Sequence, residues 1–194
     1  NAGGDFAFPE RAGLVNKGTG TNTGAELTIE KFLSKGLYLL TSVSIFESKY
    51  KGSDGIERST TFNYGYVANI LGGYEYKIGK NKRNALTVDA RFSTIGGRYA
   101  TPVNVAASLA AGREILDETR FNSEQLSNYV RLDTKFGFRL NSKKRKVSQT
   151  FYFDMQNLTN RQNIFLRRFN AEKGTVGNVY QIGFFPDVLY RIQF

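Results

Sequence analysis

Gly183-Phe-Phe-Pro-Asp-Val-Leu-Tyr-Arg-Ile-Gln-Phe194 ends the chain on an aromatic residue. Val188, Tyr190, Ile192 and Phe194 fall on one parity, Asp187, Arg191 and Gln193 on the other. A β-strand turns successive side chains to opposite faces, so this alternation predicts a strand with one apolar and one polar face.

The same period of two recurs upstream. From Val130 to Leu140, Val130, Leu132, Thr134, Phe136, Phe138 and Leu140 share one parity. Arg131, Asp133, Lys135, Gly137 and Arg139 share the other. Leu86–Ser93 and Gln149–Gln156 alternate in the same way. Asn63–Lys77 is longer, with Tyr64, Tyr66, Ala68, Ile70, Tyr74 and Tyr76 on its apolar parity, and its Gly72-Gly73 pair predicts a bulge or bend. Ala25–Leu33 is weaker because Lys31 interrupts it. Leu37–Ser48 carries apolar residues on both parities, which leaves its orientation open. With the terminal segment, these make seven predicted strands.

Short and long connections take turns between them. Ser34–Gly36, Gly79–Asn84 and Asn141–Lys146 are short; 1 to about 20, 50–61, 94–128 and 159–182 are long and rich in Gly, Asn, Ser, Thr and charge. An antiparallel meander gives this alternation when its two ends face different surroundings. Within the longest connection, Thr101-Pro102 before Val103–Gly112 predicts a short helix, with Thr101 as its cap, Pro102 in its first turn and Gly112 at its end. Its expected role is to pack the loop onto its neighbours.

Composition narrows the chemistry. Among 194 residues there are 11 Tyr, 16 Phe, 20 Gly and 3 Pro, a mix that favours strands and turns. No run of about 18 apolar residues exists to make a spanning helix, whereas a spanning strand needs only about 9–11 residues. Cysteine and histidine are absent, which excludes disulfides, Cys-based zinc sites, Cys nucleophiles and Ser-His pairs. No enzyme activity, metal or cofactor is expected. The net charge of +10 comes with basic clusters at Lys80-Asn-Lys-Arg83, Lys143-Lys-Arg-Lys146 and Arg167-Arg168. The first two lie in short turns and no nucleic-acid motif accompanies them, so no nucleic-acid partner is expected. The start at Asn1, without Met or a leader, reads as a mature chain or a fragment of a longer one.

Two surroundings fit the alternation: a sandwich buries its apolar face inside, a membrane barrel turns it to lipid. On a lipid face a Lys or Arg costs about 2–4 kcal/mol at the midplane. Slipping Val130–Leu140 by one residue would turn Arg131, Lys135 and Arg139 outward together, so the register is strongly determined. Tyr64, Tyr66, Tyr74 and Tyr76 bracket Ala68 and Ile70. A dry core would have to satisfy four buried hydroxyls, whereas a barrel leaves such rings at its wet interfaces. The expected fold is therefore all-β, a transmembrane antiparallel β-barrel, with Asp89, Arg91, Arg131, Asp133, Lys135 and Asp154 facing the lumen.

Asp154-Met-Gln-Asn-Leu-Thr-Asn-Arg-Gln-Asn163 resembles the D-x-Q-N-x-T-N-x-x-N segment of TonB-dependent outer-membrane receptors of the Bacteroidota, and Gly183–Phe194 resembles their carboxy-terminal ending. Glu26-Leu-Thr-Ile-Glu-Lys-Phe32, Ser48–Gly55 and Gly97–Pro102 fit the same family less specifically. The resemblance implies that residues 1–194 are the C-terminal portion of a 22-stranded barrel, the plug domain and earlier strands being absent. It implies an outer-membrane location, with the carboxy terminus periplasmic and the long loops extracellular. The implied function is active nutrient uptake, the substrate a siderophore, a glycan or a peptide. The implied partners are outer-membrane lipid, the rest of the same receptor, the TonB system through the missing N-terminal part, and a surface lipoprotein. The barrel-assembly machinery joins them during biogenesis, reading Tyr190, Ile192 and Phe194 as its signal. The alternative is an autonomous small barrel of about eight strands with an adhesin or structural role. It needs one more strand, from Asn163–Asn170 or Val179–Phe184. A third reading, an outer-membrane hydrolase, lacks a histidine base.

Overall fold

The computed structural model describes residues 17–142 and 146–194. Its elements run β1 (Thr19–Ser34), β2 (Leu37–Lys51), β3 (Glu57–Ser59), β4 (Tyr66–Ile78), β5 (Asn84–Ile95), β6 (Tyr99–Ala100) and α1 (Val105–Ala111). After a 3-10 turn at Glu118–Arg120 come β7 (Glu124–Gln125), β8 (Tyr129–Asn141), β9 (Ser148–Gln156), β10 (Ile164–Asn170), β11 (Thr175–Tyr180) and β12 (Phe185–Gln193). The seven long strands β1-β2-β4-β5-β8-β9-β12 form one antiparallel sheet in that order, and the short β3 pairs with β2 beside them. Five of the seven contain the whole segment whose alternation marked them in the sequence; β4 begins at Tyr66 and so leaves out Asn63, Tyr64 and Gly65, and β12 ends at Gln193, one residue before Phe194.

Short turns bring sequential strands side by side. Ser34 pairs with Leu37 across a two-residue turn in which Lys35 and Gly36 both have positive φ, 54° and 86°. Turns of this handedness match the twist of the flanking strands.

Register settles the open orientation of Leu37–Ser48. Val43 lies opposite Leu27 on one side and Ala68 on the other, which puts Leu37, Leu39, Thr41, Val43 and Ile45 on the apolar face. Gly72-Gly73 makes no bulge: pairing runs unbroken from Tyr74 to Tyr66 against β2 and from Ile78 to Val67 against β5. The register shift falls instead between Lys31 and Ser34 of β1, where Lys31 had broken the alternation.

The long connections are not bare loops. β10 and β11 form their own two-stranded hairpin, and so do β6 and β7. Neither β10 nor β11 joins the main sheet, so they do not supply an eighth wall strand. Thr101 does not cap the helix; its Oγ1 accepts a hydrogen bond from the Asn122 amide at 3.1 Å. Asn104 is the cap, its Oδ1 accepting from Ala107 N at 3.0 Å, and Gly112 closes the helix at φ 63° as expected.

Among the described residues β1 does not pair with β12, so the sheet is open and both outer strands present unpaired edges. Among the described residues few apolar side chains are buried: Ala85, Leu126 and Phe169. The chain exposes 13822 Å², against about 9,300 Å² for a compact soluble monomer of its mass.

Candidate functional site

Residues opposite one another in register share a face of the sheet, so the pairing assigns both faces rung by rung. One face is apolar from edge to edge. Tyr76, Leu86, Phe138, Phe151 and Tyr190 form one rung across β4, β5, β8, β9 and β12. Tyr74, Val88, Phe136, Phe153 and Val188 form the next, and Ile70, Phe92 and Leu132 lie beyond. Ile45, Leu27 and Ile29 extend the face onto β2 and β1. All of these side chains except the partly covered Leu132 are exposed, from Phe138 at 37% to Val188 at 70%. No second layer covers them among the described residues. An exposed apolar face of this extent marks contact with another apolar phase or partner.

The opposite face is ionic. Asp133, buried, accepts from Arg91 Nε at 3.0 Å and Nη2 at 2.5 Å through Oδ2. Its Oδ1 accepts from Arg131 Nε at 2.6 Å and from the Asn157 amide at 2.8 Å. Arg131 Nη2 reaches Gln156 Oε1 at 2.7 Å. Lys135 Nζ stands 3.7 Å from Asp154, and Arg139 Nη2 donates to Glu75 at 2.6 Å. Tyr38 Oη donates to Asp89 Oδ1 at 2.6 Å. That bond needs Gly73: a Cβ there would sit 2.6 Å from Tyr38 Oη and crowd Asp89 as well. This is what the glycine pair does in place of a bulge.

All six candidates, Asp89, Arg91, Arg131, Asp133, Lys135 and Asp154, thus lie on one face. They form two clusters and a flank, Arg91 and Arg131 about Asp133, Lys135 with Asp154, and Asp89 with Tyr38. All but Arg131 border a depression of about 350 Å³. Sequence reasoning missed Tyr38, Glu75, Arg139 and Gln156. The polar parity was legible for Arg139, Glu75 and Gln156, but only register reveals the partners.

The end of the sheet bearing the long connections is tied together by asparagines. Asn157, almost fully buried and at φ 49°, donates through Nδ2 to the carbonyls of Arg161 and Ile182 at 2.9 and 3.3 Å. Its Oδ1 accepts from Arg161 N at 3.2 Å. Asn160, at φ 51°, accepts from Phe184 N at 2.9 Å. Asn163 bonds both backbone groups of Val130, accepting at 3.0 Å and donating at 2.9 Å, as a neighbouring strand would. The asparagines of the Asp154–Asn163 motif therefore clamp the connection from β9 to β12 onto β8. Asn122 ties the preceding loops by donating to Ser59 O at 2.9 Å. Arg167 pairs with Glu124 at 2.7 Å, joining β10 to β7. Beneath these loops lies a depression of about 460 Å³ bordered by Phe62, Tyr64, Tyr129, Phe165, Arg91 and Arg131.

In the connection from β2 to β3, Arg58 Nη2 stands 2.7 Å from Asp54 Oδ2. The guanidinium hydrogen bond and the Ile56 amide hold the Asp54 carboxyl below its ordinary range.

At the carboxy terminus the Tyr190 ring stacks on Phe151 with centroids 4.7 Å apart, and its hydroxyl donates to Gln149 at 2.9 Å. Ile192 lies opposite Gln149 at the same end, and Phe194 is 96% exposed. Among the described residues no His, Cys, Asp and Glu group is arranged to hold a metal ion, and no helix is long and apolar enough to cross a membrane. Comparisons with protein-family models, with curated proteins and with solved structures each find no match.

Proposed function

We propose that this chain is the C-terminal wall segment of an outer-membrane β-barrel that takes up nutrients actively, as the resemblance of its Asp154–Asn163 and Gly183–Phe194 motifs to TonB-dependent receptors suggests. The observation that carries the reading is the pair of faces: one exposed apolar face and one ionic face across seven antiparallel strands, both edges of which are unpaired among the described residues.

The dimensions fit. Val130 to Leu140 covers about 34 Å along β8 at ~3.4 Å per residue. Tilted by about 40°, it rises roughly 26 Å, matching the apolar band of about 25 Å on outer-membrane barrels. On this reading the apolar face meets lipid, and Asp89, Arg91, Arg131, Asp133, Lys135 and Asp154 line the lumen or meet a plug. The open edges of β1 and β12 pair with further strands of the same receptor. The long connections are extracellular, where the aromatic- and arginine-bordered depression helps to hold incoming solute. The short turns and the carboxy terminus are periplasmic, with Tyr190, Ile192 and Phe194 presented to the barrel-assembly machinery. TonB coupling belongs to the plug. The autonomous small barrel is less well supported, because β10 and β11 stand apart from the sheet and leave its edges unjoined.

A cysteine scan of residues 130–140 in lipid vesicles tests the reading. Odd positions should react with a water-soluble maleimide and even positions should not; uniform reactivity would reject the assignment of faces.

A further inference from the structure

The three short turns carry no acidic residue, although the chain holds 17. The long connections hold acids freely, Asp54, Glu57, Glu114, Asp117, Glu118, Glu124 and Glu172 among them. Lys35 lies in the first short turn, Lys80, Lys82 and Arg83 in the second, and Lys146 in the third. All five are exposed, and none forms an ion pair among the described residues. Some cations elsewhere on the chain find carboxylates: Lys49 with Glu47, Arg58 with Asp54, Arg139 with Glu75 and Arg167 with Glu124.

Next to these turns, on the apolar face, lie Leu37, Tyr74, Tyr76, Leu86 and Phe138, with Tyr190 in the same rung as Tyr76. Going along the sheet, one passes from aliphatic and aromatic rungs, through the exposed Tyr74, Tyr76 and Tyr190, to cations without an ion pair among the described residues. That order matches a bilayer leaflet read from its acyl region through its interface to its phosphates.

We infer that Lys35, Lys80, Lys82, Arg83 and Lys146 form a binding rim for the phosphate groups of anionic lipid headgroups in the leaflet adjoining the short turns. The inference rests on the membrane reading proposed above. The rim fixes the depth of the wall at its turn end: ammonium and guanidinium groups bond headgroup phosphates while the tyrosine belt stays at the interface. A phosphate contacted by a cation near an anionic surface binds roughly fivefold better per Lys or Arg, and the gain is screened by salt.

The test is flotation of the detergent-solubilised chain with preformed vesicles of pure phosphatidylcholine, or of phosphatidylcholine with about a third phosphatidylglycerol. The phosphatidylglycerol vesicles should take up the chain at least about tenfold better at low salt, and that preference should fall toward unity at high salt. The triple variant Lys80→Gln, Lys82→Asn, Arg83→Gln should still float with phosphatidylcholine but lose most of the preference. Asparagine is used at position 82 because Lys82 has φ 49°. Lys173→Gln, in the turn between β10 and β11, should retain it. Equal flotation with both vesicles, or a preference that survives the triple variant, overturns the rim while leaving the membrane reading intact. Failure to float with either vesicle overturns the membrane reading itself.

Discussion

An arginine moved along one strand distinguishes lipid from a protein layer as the cover of the apolar face. On β8 the apolar-face positions are Val130, Leu132, Thr134, Phe136, Phe138 and Leu140. Each step of two residues advances about 6.8 Å along the strand, or roughly 5 Å of height at a 40° tilt. Phe136 then lies within about 3 Å of the mid-height of the segment, and Leu140 about 13 Å from it, at an interface. In a bilayer an arginine should cost about 2–4 kcal/mol at Phe136 and only about 0–1 at Leu140. The first figure changes the folding equilibrium by roughly thirty- to a thousandfold. The size of the lost native side chain differs between sites, so the quantity to compare is Arg against Ala at each position. Urea titrations of the variants folded into phosphatidylcholine vesicles, followed by tyrosine fluorescence and gel mobility, give these differences. Repeating them in shorter-chain lipids should narrow the profile about the same centre. Equal costs at Leu132, Phe136 and Leu140, or a profile indifferent to bilayer thickness, would refute lipid as the covering phase.

Gly73→Ala should destabilise by about 1–3 kcal/mol, because its Cβ displaces the Tyr38 hydroxyl from Asp89. Adding Tyr38→Ala should recover part of the loss in the same urea titration. Asp133→Asn should cost about 2 kcal/mol, less than for a fully buried pair because Arg91 is half exposed; an unchanged urea midpoint would mean that the two arginines find other partners. Asn157→Ala should expose the connection between β9 and β12 to protease, since it removes contacts to Arg161 and Ile182 together. At Asp54 the folded carboxyl is depressed by Arg58, so the pair's contribution to loop order is present above the ordinary carboxylate range and is lost as pH falls through the lowered value. A carboxyl-selective NMR titration should find that depression, and Arg58→Gln should abolish most of it.

Strand parity was legible wherever one face tolerates no charge. In Val130–Leu140 five of the positions on one parity are Arg, Asp, Lys, Gly and Arg, and only one register avoids turning ions to the apolar side. Leu37–Ser48 was not legible because its polar parity includes Leu40 and Tyr38, and only pairing with β4 oriented it. Gly72-Gly73 misled because a glycine in a strand can mark either a bulge or a close approach. The second applies, and the approaching group, Tyr38, lies 35 residues away across a strand pair. The asparagine clamp was seen as a motif, but its mechanics depend on contacts to Val130, Ile182 and Phe184, which no local spacing encodes. Asn163–Asn170 was legible as a strand, but only as one more strand of the wall; its pairing with β11 in a separate hairpin was not, because Ile164–Asn170 interleaves Arg167 and Arg168 with apolar residues out of phase.

The location of the net charge connects the wall with its two ends. On the ionic face Glu75 meets Arg139, Asp154 meets Lys135, and one carboxylate, Asp133, serves two arginines, so the middle of the wall is close to balanced. Arg167 and Arg58 are matched in the long connections as well. The surplus that makes the chain +10 is therefore concentrated at the short turns, where sequence alone supplies cations without a single carboxylate. A nucleic-acid surface would place that surplus on a broad face beside stacking aromatics. Here Tyr74, Tyr76 and Tyr190 beside the turns belong to the apolar face, and the cations stand at its border. Charge placed at the rim of an apolar wall, rather than across a face, is the distribution expected where a protein leaves a bilayer.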